Sequence, residues 1–166
     1  RLAGQHTALT NLDVQKFYAS IDLERLFCAA EGKLYPARLL LLAFGQYLAV
    51  RHILWQGWIS GPVFPGRSIT AGEGQGTCMA KIALYDCLAW HHEAYGLALT
   101  LRQWIDDLCQ VGAGTWAFLL EHVPRAVGGL ALRLRQEGYD LASKSTISAS
   151  TMALARALAE AIAQHG

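Results

Sequence analysis

The sequence predicts an α+β fold, an antiparallel sheet backed by helices, and three observations carry that expectation. Strand-like and helical segments are mixed along the chain, with no internal repeat and no low-complexity tract. Two short apolar runs, residues 97–105 and 108–111, are separated only by Asp106-Asp107, the pattern of a tight β-hairpin. Hydrophobic residues make up 53% of the 166-residue chain and charged ones 16%, which favours a buried core over a disordered segment.

Each element follows from local chemistry. Residues 9–14 alternate apolar and polar side chains, as a half-buried strand does. Asp22 is placed to cap a helix over 23–31, which Gly32 would end, and Pro36 suits the start of a second helix running to about residue 51. Residues 53–59 fit a strand, with Ser60-Gly61-Pro62 as a turn before a short strand near Val63-Phe64. Gly66, Gly72, Gly74 and Gly76 lead into a long helix over 77–95. After the hairpin a helix spans 115–137, broken or kinked near Pro124 and Gly128-Gly129. A strand around 139–141 and an alanine-rich helix from residue 151 complete the order.

Composition narrows the function. A formal net charge of +1 provides no overall basic excess, so any phosphate grip must come largely from elsewhere. Cys28, Cys78, Cys87 and Cys109 include no C-x-x-C pair, which predicts reduced intracellular thiols, in nucleus or cytoplasm alike. Cys87 and His91, four apart on a helix, offer half a zinc site without a matching second half, so packing is their expected role. Trp90-His91-His92-Glu93 fits a helix surface with one apolar edge, and Trp55 and Trp58 fit core or hairpin packing. The densest apolar run, 39–50, includes Gly45 and Gln46 and suits a buried helix, so no membrane partner is expected. The chain opens on Arg1 and not Met, and a candidate strand falls within its first fifteen residues, which predicts a fragment.

Acids are scarce, thirteen in all, so their positions carry information. Asp13 lies in an otherwise apolar or neutral strand, and Asp106 and Asp107 lie in the hairpin. Carboxylates gathered at strand ends are costly unless a cation neutralises them. A hard divalent ion such as Mg²⁺ suits that role, since it takes oxygen ligands from one or two carboxylates plus substrate phosphates. Two such ions about 4 Å apart can clamp the attacking and leaving oxygens of phosphoryl transfer.

Four segments in a fixed order then resemble the palm motifs of reverse transcriptases, especially those of group II introns, retrons and non-LTR retroelements. Asp13-Val14-Gln15-Lys16-Phe17-Tyr18-Ala19-Ser20-Ile21-Asp22 resembles the first, Gly72-Glu73-Gly74-Gln75-Gly76-Thr77 the second, Trp104-Ile105-Asp106-Asp107 the third, and Gly138-Tyr139-Asp140-Leu141-Ala142-Ser143-Lys144-Ser145 the fourth. Together they cover residues 9–149. Gly74 replaces the usual proline, Glu73 an apolar residue and Trp104 the hairpin tyrosine, departures that mark a divergent lineage.

The resemblance implies a polymerase palm with a ferredoxin-like core over 1–166, with the fingers before Arg1 and the thumb after Gly166. It implies RNA-templated DNA synthesis by nucleotidyl transfer from a dNTP to a primer 3′-hydroxyl, within a larger retroelement enzyme. RNA template, DNA primer and dNTP would be the partners, and two Mg²⁺ (or Mn²⁺) ions the cofactors. Asp13 and Asp106 would hold the metals, Asp107 would shape the field, and Lys144 would act near the leaving pyrophosphate. Tyr18 would sit under the sugar and disfavour a 2′-hydroxyl, and Gln75 and Gly76 would approach the template–nucleotide pair. Two alternatives share the architecture. An RNA-dependent RNA polymerase palm typically carries a second acid where this chain has Tyr18. A retired palm serving as an RNA-binding scaffold usually loses its acids, which here are all present.

Overall fold

The structure is a computed structural model that describes residues 4–70 and 72–165. In chain order the elements are β1 (His6–Asp13), α1 (Phe17–Ser20), α2 (Leu23–Gly32), α3 (Ala37–Tyr47), β2 (Leu54–Trp55), β3 (Trp58–Ile59), α4 (Gly76–Tyr95), β4 (Leu99–Trp104), β5 (Asp107–Gly114), α5 (Trp116–Gln136), β6 (Thr146–Ala149) and α6 (Met152–His165). They divide into two compact units, one formed by Arg1–Gln15 with Leu84–Gly166 and the other by Lys16–Ala83.

The first unit carries the four-stranded sheet, ordered β4-β5-β1-β6, with every neighbouring pair antiparallel. Strand, helix, two strands, helix and strand in chain order, with that sheet order, form the split β-α-β arrangement of ferredoxin-like folds. The α+β expectation is met, and the second unit is an insertion in the first crossover, between β1 and the later turns of α4.

Alternation in β1 sends Ala8, Thr10 and Leu12 to a buried face, with Leu108 and Gln110 beside them on β5. The polar pair on that face is joined: Thr10 Oγ1 donates to Gln110 Oε1 at 3.2 Å. Helices α5 and α6 contribute Leu119, Val123, Leu130, Leu154 and Leu158 to the buried core of this unit. Gly112 on β5 is required by close approach, since a Cβ there would lie 2.6 Å from Leu99 Cδ2 and 3.1 Å from Leu119 Cδ2.

Several expectations are corrected. Helix α5 runs unbroken through Pro124 and Gly128-Gly129. Pro124 lies on its buried side with Val123 and Val127, so core packing offsets the lost backbone bond. Gly129 faces Trp90, whose Cη2 would be 2.7 Å from a Cβ at that site. The strand expected at 139–141 is reduced to a bridge between Val14 and Leu141, and the fourth strand is β6, too short and weakly apolar to show in the sequence.

In the second unit, Asp22 caps α2 as expected, accepting from the Arg25 backbone N–H at 3.0 Å. Helix α3 stops at Tyr47, earlier than expected. Residues 53–59 form a two-stranded ribbon, β2–β3, turned at Gln56-Gly57, where both residues take positive φ (47° and 86°) as in a type I′ turn. Trp55 and Trp58 are not core residues; they are among the most exposed large side chains of the chain.

His91 is the other surprise. It is fully buried, its ring 5.4 Å from that of Tyr95, and among the described residues neither ring nitrogen has a hydrogen-bond partner. The neighbouring Cys87 is also buried, and burial pushes its thiol up to about 11, consistent with packing. Burial pushes the His91 imidazole down to about 4, with His92 adding a smaller push in the same direction. The unfolded chain therefore takes up this proton first. Stability should fall by about 3 kcal/mol as pH drops from 6.5 towards 4, and His91→Leu should flatten that part of the profile. Denaturant unfolding across this range checks it, and an unchanged profile in the variant would show that His91 is not the group responsible.

Candidate functional site

Three predicted acids and the predicted lysine meet at one end of the sheet in the first unit. The register places Asp13 directly opposite Asp107, and Asp107 opposite Trp104. Directly opposed residues in an antiparallel pair share a face, so Asp13, Asp107 and Trp104 lie on the side of the sheet away from Leu12 and Leu108. The turn of the hairpin is Ile105-Asp106, one residue earlier than the sequence suggests, so Asp107 opens β5. Ile105 takes φ 60°, a left-handed conformation that a β-branched side chain rarely adopts. The Gln103 side-chain amide steadies the turn by donating to the Ile105 carbonyl at 2.7 Å.

Lys144 reaches the same end. Its Nζ donates to Asp13 Oδ1 at 2.8 Å, with the Asp13 side chain 15% exposed and that of Lys144 73%. The hydrogen bond to Asp13 raises the Lys144 pKa, as does the Asp13 charge; Asp107 and Asp106 add smaller pushes in the same direction. Residues 140–145 hold the lysine there by lying along the end of β1. The Gln15 backbone N–H donates to the Asp140 carbonyl at 2.7 Å, and that of Ala142 to the Asp13 carbonyl at 2.7 Å. Ser145 Oγ accepts from the Asp13 backbone N–H at 3.2 Å and donates to the Ala142 carbonyl at 2.9 Å. This bracing by Ser145 was missed in the sequence; a serine following the lysine was its only signal.

The remaining predicted residues belong to the second unit. Tyr18 lies in the single turn of α1, entered through Lys16 at φ 48°. Its ring meets Phe17 edge-on at 5.8 Å, and its carbonyl accepts from the Ile69 backbone N–H at 3.1 Å. Phe17 is the buried one of the pair. Gln75 and Gly76 lie at the start of α4, where a Cβ on Gly76 would come within 3.0 Å of the Thr70 carbonyl oxygen.

Two tyrosines that the sequence did not single out secure this glycine-rich segment. Tyr35 Oη donates to Gln75 Oε1 at 3.2 Å, and the buried Tyr47 donates to Glu73 Oε1. Burial raises the Tyr47 pKa, and the Glu73 hydrogen bond raises it further. Glu73, an oddity against the motif, thus has a structural partner.

The donor set at the sheet end is all carboxylate oxygen, which suits a hard divalent cation. Among the described residues no group of three His, Cys, Asp or Glu is placed to hold a metal unaided. Mg²⁺ commonly takes one or two carboxylates and fills its shell with water and substrate phosphates. The arrangement fits that mode, and Lys144 already supplies one positive charge to Asp13.

The fold is reverse-transcriptase-like. Two telomerase structures from Candida tropicalis share it. The apo enzyme truncated from its C-terminal domain aligns with TM-score 0.66 and 11% identity over 87% of this chain and 31% of that one. The enzyme in complex with the TWJ fragment of telomeric RNA aligns with TM-score 0.67 and 9% identity, over 89% of this chain and 26% of that one. This chain therefore spans about a third or less of the telomerase chains it matches. No protein-family model and no curated sequence matches it.

Two variants probe the local geometry. Ile105→Gly should relieve the left-handed strain and raise stability by about 1 kcal/mol in denaturant unfolding; a loss would mean that the isoleucine side chain outweighs the strain. Tyr47→Phe leaves Glu73 without its donor and should lower stability by about 1 kcal/mol in the same measurement, whereas no change would show that water replaces the phenol.

Proposed function

We propose that this chain is the palm portion of an RNA-directed DNA polymerase of the retroelement kind, working as part of a larger enzyme. The observation that carries the reading is the convergence of Asp13, Asp106-Asp107 and Lys144, from separated segments, on one end of a sheet of reverse-transcriptase-like fold. The coupled substrates would be an RNA template, a DNA primer and a dNTP, which makes the site of action intracellular.

In this reading Asp13 and Asp106 hold two Mg²⁺ or Mn²⁺ ions. Bound there, the metals would lower the pKa of the primer 3′-hydroxyl and offset charge developing on the leaving pyrophosphate. Asp107, the cross-strand neighbour of Asp13, deepens the negative field and helps set the carboxylate positions. Lys144 would offer a proton or a positive charge to the departing phosphate oxygens. Tyr18 supplies the ring that disfavours ribonucleotides, and Gln75 and Gly76 contribute to the surface that the template–nucleotide pair approaches. Positioning and electrostatics would supply most of the rate, as in other phosphoryl transfers.

The test is metal binding by the full chain. Mn²⁺ titration followed by paramagnetic relaxation, with a dNTP present, should show saturable binding that Asp13→Ala/Asp106→Ala reduces at least tenfold. Equal binding by the parent and the double variant would remove the metal assignment. Repeating the titration with an NTP separates this reading from an RNA-dependent RNA polymerase palm, which would favour the NTP over the dNTP.

A further inference from the structure

The formal charge of the chain is unevenly divided. The second unit contains seven Lys and Arg against four acids, the first unit seven against nine. Within the second unit, residues 32–72 include Lys33, Arg38, Arg51 and Arg67 but not a single Asp or Glu. A net charge of +1 over the whole chain conceals this segment. Arg38 is exposed, and Arg67 makes a loose 3.9 Å pair with Asp22.

The β2–β3 ribbon lies in the middle of this acid-free span. Trp55 and Trp58 are direct cross-strand partners, so their rings share one face of the ribbon, and they are 70% and 80% exposed. Phe64, shortly beyond, is 73% exposed. The Gln56-Gly57 turn fixes the register that sets the two indoles side by side. Two large indoles held open to water on a short ribbon contribute little to a core. They do provide flat π faces, and the cations of the same acid-free span favour a polyanion.

We propose that the Trp55–Trp58 face of the ribbon is a stacking site for unpaired bases of a single-stranded nucleic acid. The sugar-phosphate backbone is drawn to this segment by the net positive charge of its sequence. Stacking on aromatic side chains tolerates any base sequence, and the phosphate attraction makes binding salt-dependent. An unpaired strand suits the site better than a duplex, because paired bases keep their faces buried in the stack. The inference does not depend on the metal site: it would hold for a chain whose Asp13 had been replaced.

The experiment is fluorescence anisotropy with the full chain and a short fluorescein-labelled oligouridylate at low salt, repeated as salt is raised. The parent protein should bind the strand and lose affinity with salt. Trp55→Ala/Trp58→Ala should bind about tenfold or more weakly. Trp55→Phe/Trp58→Phe, which keeps aromatic faces, should retain most of the affinity. Both tryptophans are exposed, so circular dichroism should show the variants folded. Equal binding by the alanine variant would overturn the proposal, as would absence of binding by the parent, or tighter binding to a duplex of the same length. Partition onto phosphatidylserine vesicles without strand binding would reassign the face to a lipid surface. Self-association in sedimentation that the alanine variant abolishes, again without strand binding, would reassign it to a second copy of the chain.

Discussion

Strand β1 is paired on both sides, to β5 and to β6, and the organisation of the first unit depends on that double pairing. A strand so enclosed cannot turn its last residue freely towards water. Asp13 ends β1 with its side chain largely covered, and a carboxylate in that position needs a cation close by. Lys144 meets the need, and the path of residues 140–145 along the end of β1 puts it there. The same pairing aligns Asp13 with Asp107, so two acids that would repel each other are fixed as neighbours. Electrostatic tension at this edge is therefore a consequence of register, and the lysine answers part of it.

Backbone strain lies close to the same residues. Lys16 and Ile105 both take the left-handed conformation, the first three residues after Asp13 and the second immediately before Asp106. Glycine would be cheaper at either place, and conformations of this kind persist only where the surrounding structure imposes them. At Ile105 the Gln103 side chain holds the turn. The inner face of the sheet is filled by aliphatic side chains, Gly112 lets Leu119 come close, and the Thr10–Gln110 bond joins the two central strands from within the core. Rigid strands beneath a strained hairpin tip are a sound base for a site that must hold carboxylates in fixed positions.

The second unit is organised around different constraints. Its glycine-rich segment is held by hydroxyl donors, Tyr35 on Gln75 and Tyr47 on Glu73. A loop built from Gly72, Gly74 and Gly76 has little side chain of its own to pack, so these two bonds limit a backbone that would otherwise be free. Its acid-free span, residues 32–72, holds Lys33, Arg38, Arg51 and Arg67, so the positive charge of the chain is unevenly distributed along the sequence.

Much of this was legible in the sequence, for identifiable reasons. Alternation in residues 9–14, the capping Asp22, the run of glycines before α4 and the two acids between apolar runs are local signals, and the corresponding elements are present. Local signals also misled. Pro124 and the paired glycines argued for a broken helix, and β6 offered too few apolar residues to be noticed. The sequence by itself determined which residue types were available: carboxylates for a hard cation, a lysine, aromatic rings and a mixture of strands and helices. Only the tertiary structure decided that Asp107 stands opposite Asp13, that Lys144 bridges to it, that His91 is buried without a partner and that two tryptophans face water. Such outcomes rest on strand register and on contacts between residues far apart in the chain, and pairings between distant segments leave no periodic trace in any one of them.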